Sequence, residues 1–152
     1  MTLTMEIRSL RRCGEGADRA AELFTLFKSL GGIIDGHEAT EELRRSQSQP
    51  LSVLARWIVN RQVFHFTWQS TMLLPRFQFG SLESDAVVHA PVPGVKRVLI
   101  ELDEQFDELE IAEWFASPNT WLHLSIPALL IARDADVVVS AARADRYIAK
   151  GW

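Results

Sequence analysis

The sequence predicts a mainly α protein: a helical N-terminal part holding a diverged helix–turn–helix, one central β-hairpin, and a C-terminal helical bundle. Two observations carry this. Apolar residues recur at helical spacing in most segments, as in Ala20, Leu23, Phe24, Phe27 and Leu30. Clear period-two alternation marks a single stretch, where Phe64, Phe66 and Trp68 share one face. At 152 residues, 47% hydrophobic and 24% charged, the chain is long enough to bury one core without disulfides. The segments divide as 1–61, N-terminal helical; 62–91, hairpin and loop; and 92–152, C-terminal helical.

The first helix is expected from about Ala17 to Leu30, stopped by Gly31-Gly32. A mostly polar helix follows from about His37 to Arg45, with Ala39 and Leu43 as its apolar contacts. Ser46 to Gln49 is a polar turn, and Pro50 suits the first position of a third helix to about Asn60. That helix is expected to bury Leu51, Leu54, Ala55 and Ile58, with Trp57 alongside. Val63 to Trp68 and Thr71 to Phe79 form the hairpin around Gln69-Ser70, with Pro75 at an edge or break. Gly80 to Pro91 is loop-like. Pro93 opens a helix whose core face is Val95, Val98, Leu99 and Leu102. Asp107, with Glu110 three residues on, has the form of a capping box for a helix carrying Ile111, Trp114 and Phe115. Ser117-Pro118 ends that helix, Ser125 is placed to cap a short one through Pro127, and a last helix runs from about Ala135 to Ile148.

Net charge is −4, which argues against broad non-specific binding to nucleic acid. Seven acids fall between Glu101 and Glu113 with no base among them. They read either as a solvated helical face or as an edge for a basic partner. Cys13 is the only cysteine, beside Arg11 and Arg12, and reads as an incidental thiol. Neither a signal peptide nor an apolar run near the ~18 residues of a membrane span is expected, which places the chain in the cytoplasm.

Little in the sequence encodes chemistry. His37, His65, His89 and His123 lack partners at metal-ligand spacing, and no phosphate-cradling glycine motif is present. Glu108 and Glu110 flank Leu109 and point apart on a helix. No catalytic residue, metal or cofactor is therefore expected, and the chain reads as non-enzymatic. The helix–turn–helix with a following hairpin has the layout of a winged DNA-binding unit, with Arg44, Arg45, Arg56 and Arg61 as candidate phosphate contacts. Its second helix is mostly apolar where a reading helix should offer polar groups to base edges. A homodimer is a further expectation, because the aromatic hairpin has two faces and one of them needs covering.

Trp114-Phe115-Ala116-Ser117-Pro118-Asn119-Thr120-Trp121-Leu122, with Ile126-Pro127-Ala128-Leu129-Leu130, is the most distinctive stretch. Pro118 stops a helix, Asn119 satisfies loose backbone groups, Leu122 plugs the core and Pro127 restarts a helix. The stretch resembles the C-terminal toxin-binding domain of the Xre/MbcA/ParS antitoxins, with Pro118, Asn119, Leu122, Pro127 and Leu130 at the family's spacings. Leu74-Pro75-Arg76-Phe77-Gln78-Phe79 also resembles the Pro-x-x-Gln-Phe strand that precedes that domain. Together they cover about residues 50–150. Two departures stand out: His123-Leu124 in place of a glycine after the turn Leu, and the diverged N-terminal part.

The resemblance implies an antitoxin-like protein that neutralises a RES-domain, NAD-consuming toxin through its C-terminal region, in a family whose members often repress their own operon; a stand-alone protein-interaction relative without a toxin is the alternative. It makes Tyr147 to Trp152, with Lys150 among them, the toxin-facing end and the Glu101–Glu113 run a secondary contact. Trp121 reads either as a core residue beside Leu122 or as an interface anchor. Trp152 either docks on its own fold or inserts into a partner.

Overall fold

In the computed structural model, which describes residues 18–80 and 88–151, residues 18–28 form helix α1. Ala20, Leu23, Phe27 and Leu30 are buried, as their spacing predicts. Phe24 is not: it is 39% exposed and meets Trp68 edge-on at 5.7 Å. Gly31 and Gly32 both take positive φ, which ends the helix sharply. Cys13 and Trp152 lie outside the described residues.

A strand absent from the sequence reading comes next. β1 (Ile33–Asp35) pairs antiparallel with a later strand, Ile34 opposite Leu74. Three residues are too few to show period-two alternation, so Ile33-Ile34 gave no strand signal. Asp35 then caps α2 (Gly36–Leu43), accepting from the Glu38 N–H at 2.7 Å. α3 (Pro50–Val59) carries Pro50 in its first turn. The hairpin is β2 (Phe66–Trp68) and β3 (Thr71–Pro75), joined by Gln69 and Ser70, which both adopt positive φ. Sheet order is β1-β3-β2, all antiparallel. The order of this half is helix, strand, helix, turn, helix and returning hairpin.

Both hairpin strands are shorter than their apolar alternation suggests. Residues 76–79 turn into a 3₁₀ helix directly after Pro75, rather than extending the strand to Phe79. Gln78 explains where the missing ladder went. Its side chain is fully buried, its Oε1 accepts from the Phe64 N–H and its Nε2 donates to the Phe64 carbonyl, both at 2.9 Å. One amide side chain thus replaces the pair of strand hydrogen bonds that Phe64 would otherwise need.

The C-terminal half is helical: α4 (Pro93–Leu102), α5 (Glu108–Ala116), α6 (Pro127–Leu130) and α7 (Ala135–Lys150). Asp107 and Glu110 form the expected capping box at α5. Ser125 does not cap α6. The cap is Ile126, with no side-chain bond, while the Ser125 carbonyl accepts from the Asn119 N–H at 3.0 Å. Gly94 lets α4 approach its neighbours: a Cβ there would stand 2.9 Å from both Ala135 Cβ and Ile131 Cδ1.

One apolar core runs from Leu23 to Ala142. Phe64 stacks on Phe115 at 5.1 Å, and Phe77 touches Phe115, Phe64 and Phe27, so α1, the hairpin segment and α5 share one aromatic column. A second cluster, with Ile34, Leu43, Leu54, Val63 and Leu74, sits beneath α2 and α3. Among the described residues no helix is long and apolar enough to cross a membrane.

Candidate partner-binding surface

Behind α5 the chain turns back through Ser117-Pro118, and the next residue organises everything around it. Asn119 is 7% exposed; its Oδ1 accepts from the Trp121 N–H at 2.9 Å and its carbonyl from Leu122 and Leu124. Leu122 enters the core, and Pro127 is buried at the start of α6 with Leu130 packed against the core. His123 and Leu124 turn the corner with φ of 53° and 66°, the left-handed region that a glycine enters at less cost. The spaced Pro, Asn and Leu residues therefore do in space what their chemistry suggests in the sequence.

The sequence did not single out the group that gathers this turn. Asp145, on α7, accepts three hydrogen bonds. Trp114 Nε1 and Asn119 Nδ2 donate to its Oδ2 at 2.7 and 2.9 Å, and Trp121 Nε1 donates to its Oδ1 at 3.0 Å. All three donors are neutral, and among the described residues no cation is paired with this carboxylate. Asp145 lies 24 residues from Trp121 and 31 from Trp114, so only the fold brings them together.

Trp121 is the result on the surface. It is 52% exposed, which excludes the reading of an ordinary core Trp, yet its backbone N–H is held by Asn119 and its indole N–H by Asp145. It forms one wall of an open groove of about 330 Å³ completed by Asp136, Val137, Ser140 and Ala141. Val137 is 49% exposed, and Asp136 meets Arg97 at 2.7 Å on the rim. Tyr147 and Lys150 are exposed farther along α7, with the Arg146 guanidinium 5.5 Å from the Tyr147 ring. Tyr147 is two positions from Asp145, so it points away from the side chain that holds Trp121. Trp121 and Tyr147 do not line one groove.

Six of the seven acids of the run, all but Glu104, resolve into internal ties. Glu101 is buried and holds Arg143 at 3.0 Å and Arg146 at 2.6 Å, locking α4 to α7. Asp103 pairs with Arg61, Glu108 accepts from the Thr67 N–H beside His65, and Asp107 and Glu110 cap α5. Glu113 accepts from Arg19 at 2.8 Å, a bond that lifts the Arg19 guanidinium above its ordinary value. Neither a uniformly solvated face nor a free acidic edge describes it.

The four candidate phosphate contacts do not make one free basic face. Arg61 is committed to Asp103, and Arg44 pairs with Glu41 at 3.1 Å. Arg45 and Arg56 are exposed without an acid partner among the described residues. On α3, Leu54 is buried as expected, but Leu51 and Ala55 face outward and Ile58 and Trp57 are half-buried. Leu51 is 69% and Val59 79% exposed, so the helix carries apolar residues on both sides and only the Leu54 side has a core to meet.

The chain matches no family model, no curated protein and no solved structure.

Proposed function

We propose that this chain is a non-enzymatic, antitoxin-like protein of the cytoplasm that works by binding a partner protein through the Trp121 surface. The observation that carries the reading is the Asp145 hub, which gathers Trp114 and Asn119 of the turn and holds the Nε1–H of a half-exposed indole beside them. Tethering of that kind lowers the ordering cost of association, and Trp is the residue most favoured at interface centres. The resemblance of the Pro118–Leu130 stretch to the toxin-binding domain of Xre/MbcA/ParS antitoxins suggests a RES-type, NAD-consuming toxin as the partner. Tyr147, Lys150 and Trp152 would then extend the contact along the C-terminal end, and a homodimer is compatible with it.

The test is a co-purification of the tagged full chain from its own cell lysate against the Trp121→Ala variant. A stoichiometric protein retained by the intact chain and reduced at least tenfold by the variant is expected. Retention of no protein by either, with both folded by circular dichroism, would overturn the reading.

A second reading, a DNA-binding regulator, draws on the winged connectivity of α1 to β3 and on exposed Arg45 and Arg56. It predicts operator binding that weakens steeply with salt. The outward Leu51, Ala55 and Val59 weigh against it, because they offer nothing to base edges.

A further inference from the structure

The Trp121 groove has a chemical preference of its own. Its aromatic wall donates its Nε1–H to a carboxylate with no paired cation among the described residues, which enriches the indole π face with electron density. Asp136, the charged residue of the groove lining, is held on one oxygen by Arg97 in a pair whose aspartate side chain is 89% exposed, so its remaining lone pairs are open. Between the two lie Val137, Ser140 and Ala141, a floor with an apolar surface and one hydroxyl. A flat negative face, an apolar floor and a carboxylate at the mouth describe a complement for a long side chain ending in a planar cation.

We infer that the Trp121 groove receives an arginine side chain from a basic segment of the partner. The guanidinium stacks on the exposed indole face, the methylenes cover Val137 and Ala141, and the fork reaches Asp136. Arginine suits this better than lysine, because the guanidinium is planar, weakly hydrated and stacks on aromatic faces while still donating in its own plane. The inference rests on the reading of this surface as the partner contact and names what the partner brings to it.

The experiment titrates the full-length chain with a capped Gly-Gly-Arg-Gly-Gly peptide and follows the five indole N–H resonances by NMR. The same peptide with citrulline, which keeps the shape and loses the charge, is the control. A saturable shift confined to the Trp121 resonance, roughly fivefold weaker with citrulline, is expected from a partly exposed cation–π contact. Asp136→Asn should weaken the arginine peptide about twofold to threefold and leave the citrulline peptide unchanged. Equal shifts with arginine and citrulline, or shifts spread evenly over all indoles, overturn the inference. A lysine peptide that binds as tightly as arginine overturns the stacking argument and with it the choice of ligand. Co-purification of the Trp121→Ala variant separates the two levels. Partner loss in that variant without an arginine-specific shift leaves the surface reading standing and removes the arginine. Partner retention removes the surface reading, whatever the peptides do.

Discussion

Gln78 and Asp145 each collect hydrogen bonds from residues far away in the chain, in different surroundings. Gln78 is fully buried and both of its bonds go to the backbone of Phe64, another buried residue. Asp145 is half-buried, and its bonds go to side chains, one of which stands more than half in solvent. The first tether completes the backbone pairing of the core, where an unmade bond costs the full desolvation of the orphaned groups. The second fixes the pose of a surface aromatic, where water would readily take the place of a lost partner. Burial of the bonded groups, rather than their number, separates a tether that holds the fold from one that displays a side chain.

That contrast is open to attack by mutation. Gln78→Ala should have the largest effect, about 3 kcal/mol of stability, because it strands a buried N–H and a buried carbonyl together. Urea denaturation measures it directly, and a cost below that of Asp145→Ala would break the comparison. Gly94→Ala comes next, at about 2 kcal/mol, since the new methyl would stand 2.9 Å from Ala135 Cβ and from Ile131 Cδ1, closer than carbon atoms pack. Its loss should appear in the same denaturation midpoint with no change in Trp121 emission. Asp145→Ala should cost about 1 kcal/mol, with the larger consequence dynamic. The Trp121 indole N–H should show faster motion in its NMR relaxation with the other tryptophans left in place, and unaltered relaxation would mean that Asp145 does not fix the ring. Leu51→Ser sharpens the picture from the other side: a residue 69% exposed should change stability by no more than about 0.5 kcal/mol.

Much of the helical architecture was legible because its signals are local. The α4 face of Val95, Val98, Leu99 and Leu102 is fully buried as its period requires, and the Asp107–Glu110 box caps α5. β1 was invisible because three residues carry no period, and the strand exists only through its pairing with β3. The outward face of α3 was misjudged for a related reason: apolar residues occupy both sides of the helix, and spacing alone does not say which side meets a core. At the candidate site the turn was readable from Pro118, Asn119 and Leu122, each acting on neighbours. Asp145 was not, because an aspartate inside a helix, 24 residues from its indole, resembles any solvated acid.

The Glu101–Glu113 stretch has a consequence for how this chain tolerates change. By composition it is seven interchangeable acids, and a rearranged version would keep the net charge, the hydropathy and nearly the same helix propensity. In space its members have separate assignments: Glu101 to two arginines of α7, Asp103 to Arg61, Glu113 to Arg19, Asp107 and Glu110 to each other. A permuted stretch would therefore preserve every bulk property while dissolving the ties of α1 to α5, of α4 to α7, and of the turn after α3 to the turn after α4. Relatives of this chain should drift freely at Glu104, for which there is no such tie among the described residues, and keep the order of the others, so that alignment by composition would miss what alignment by position retains.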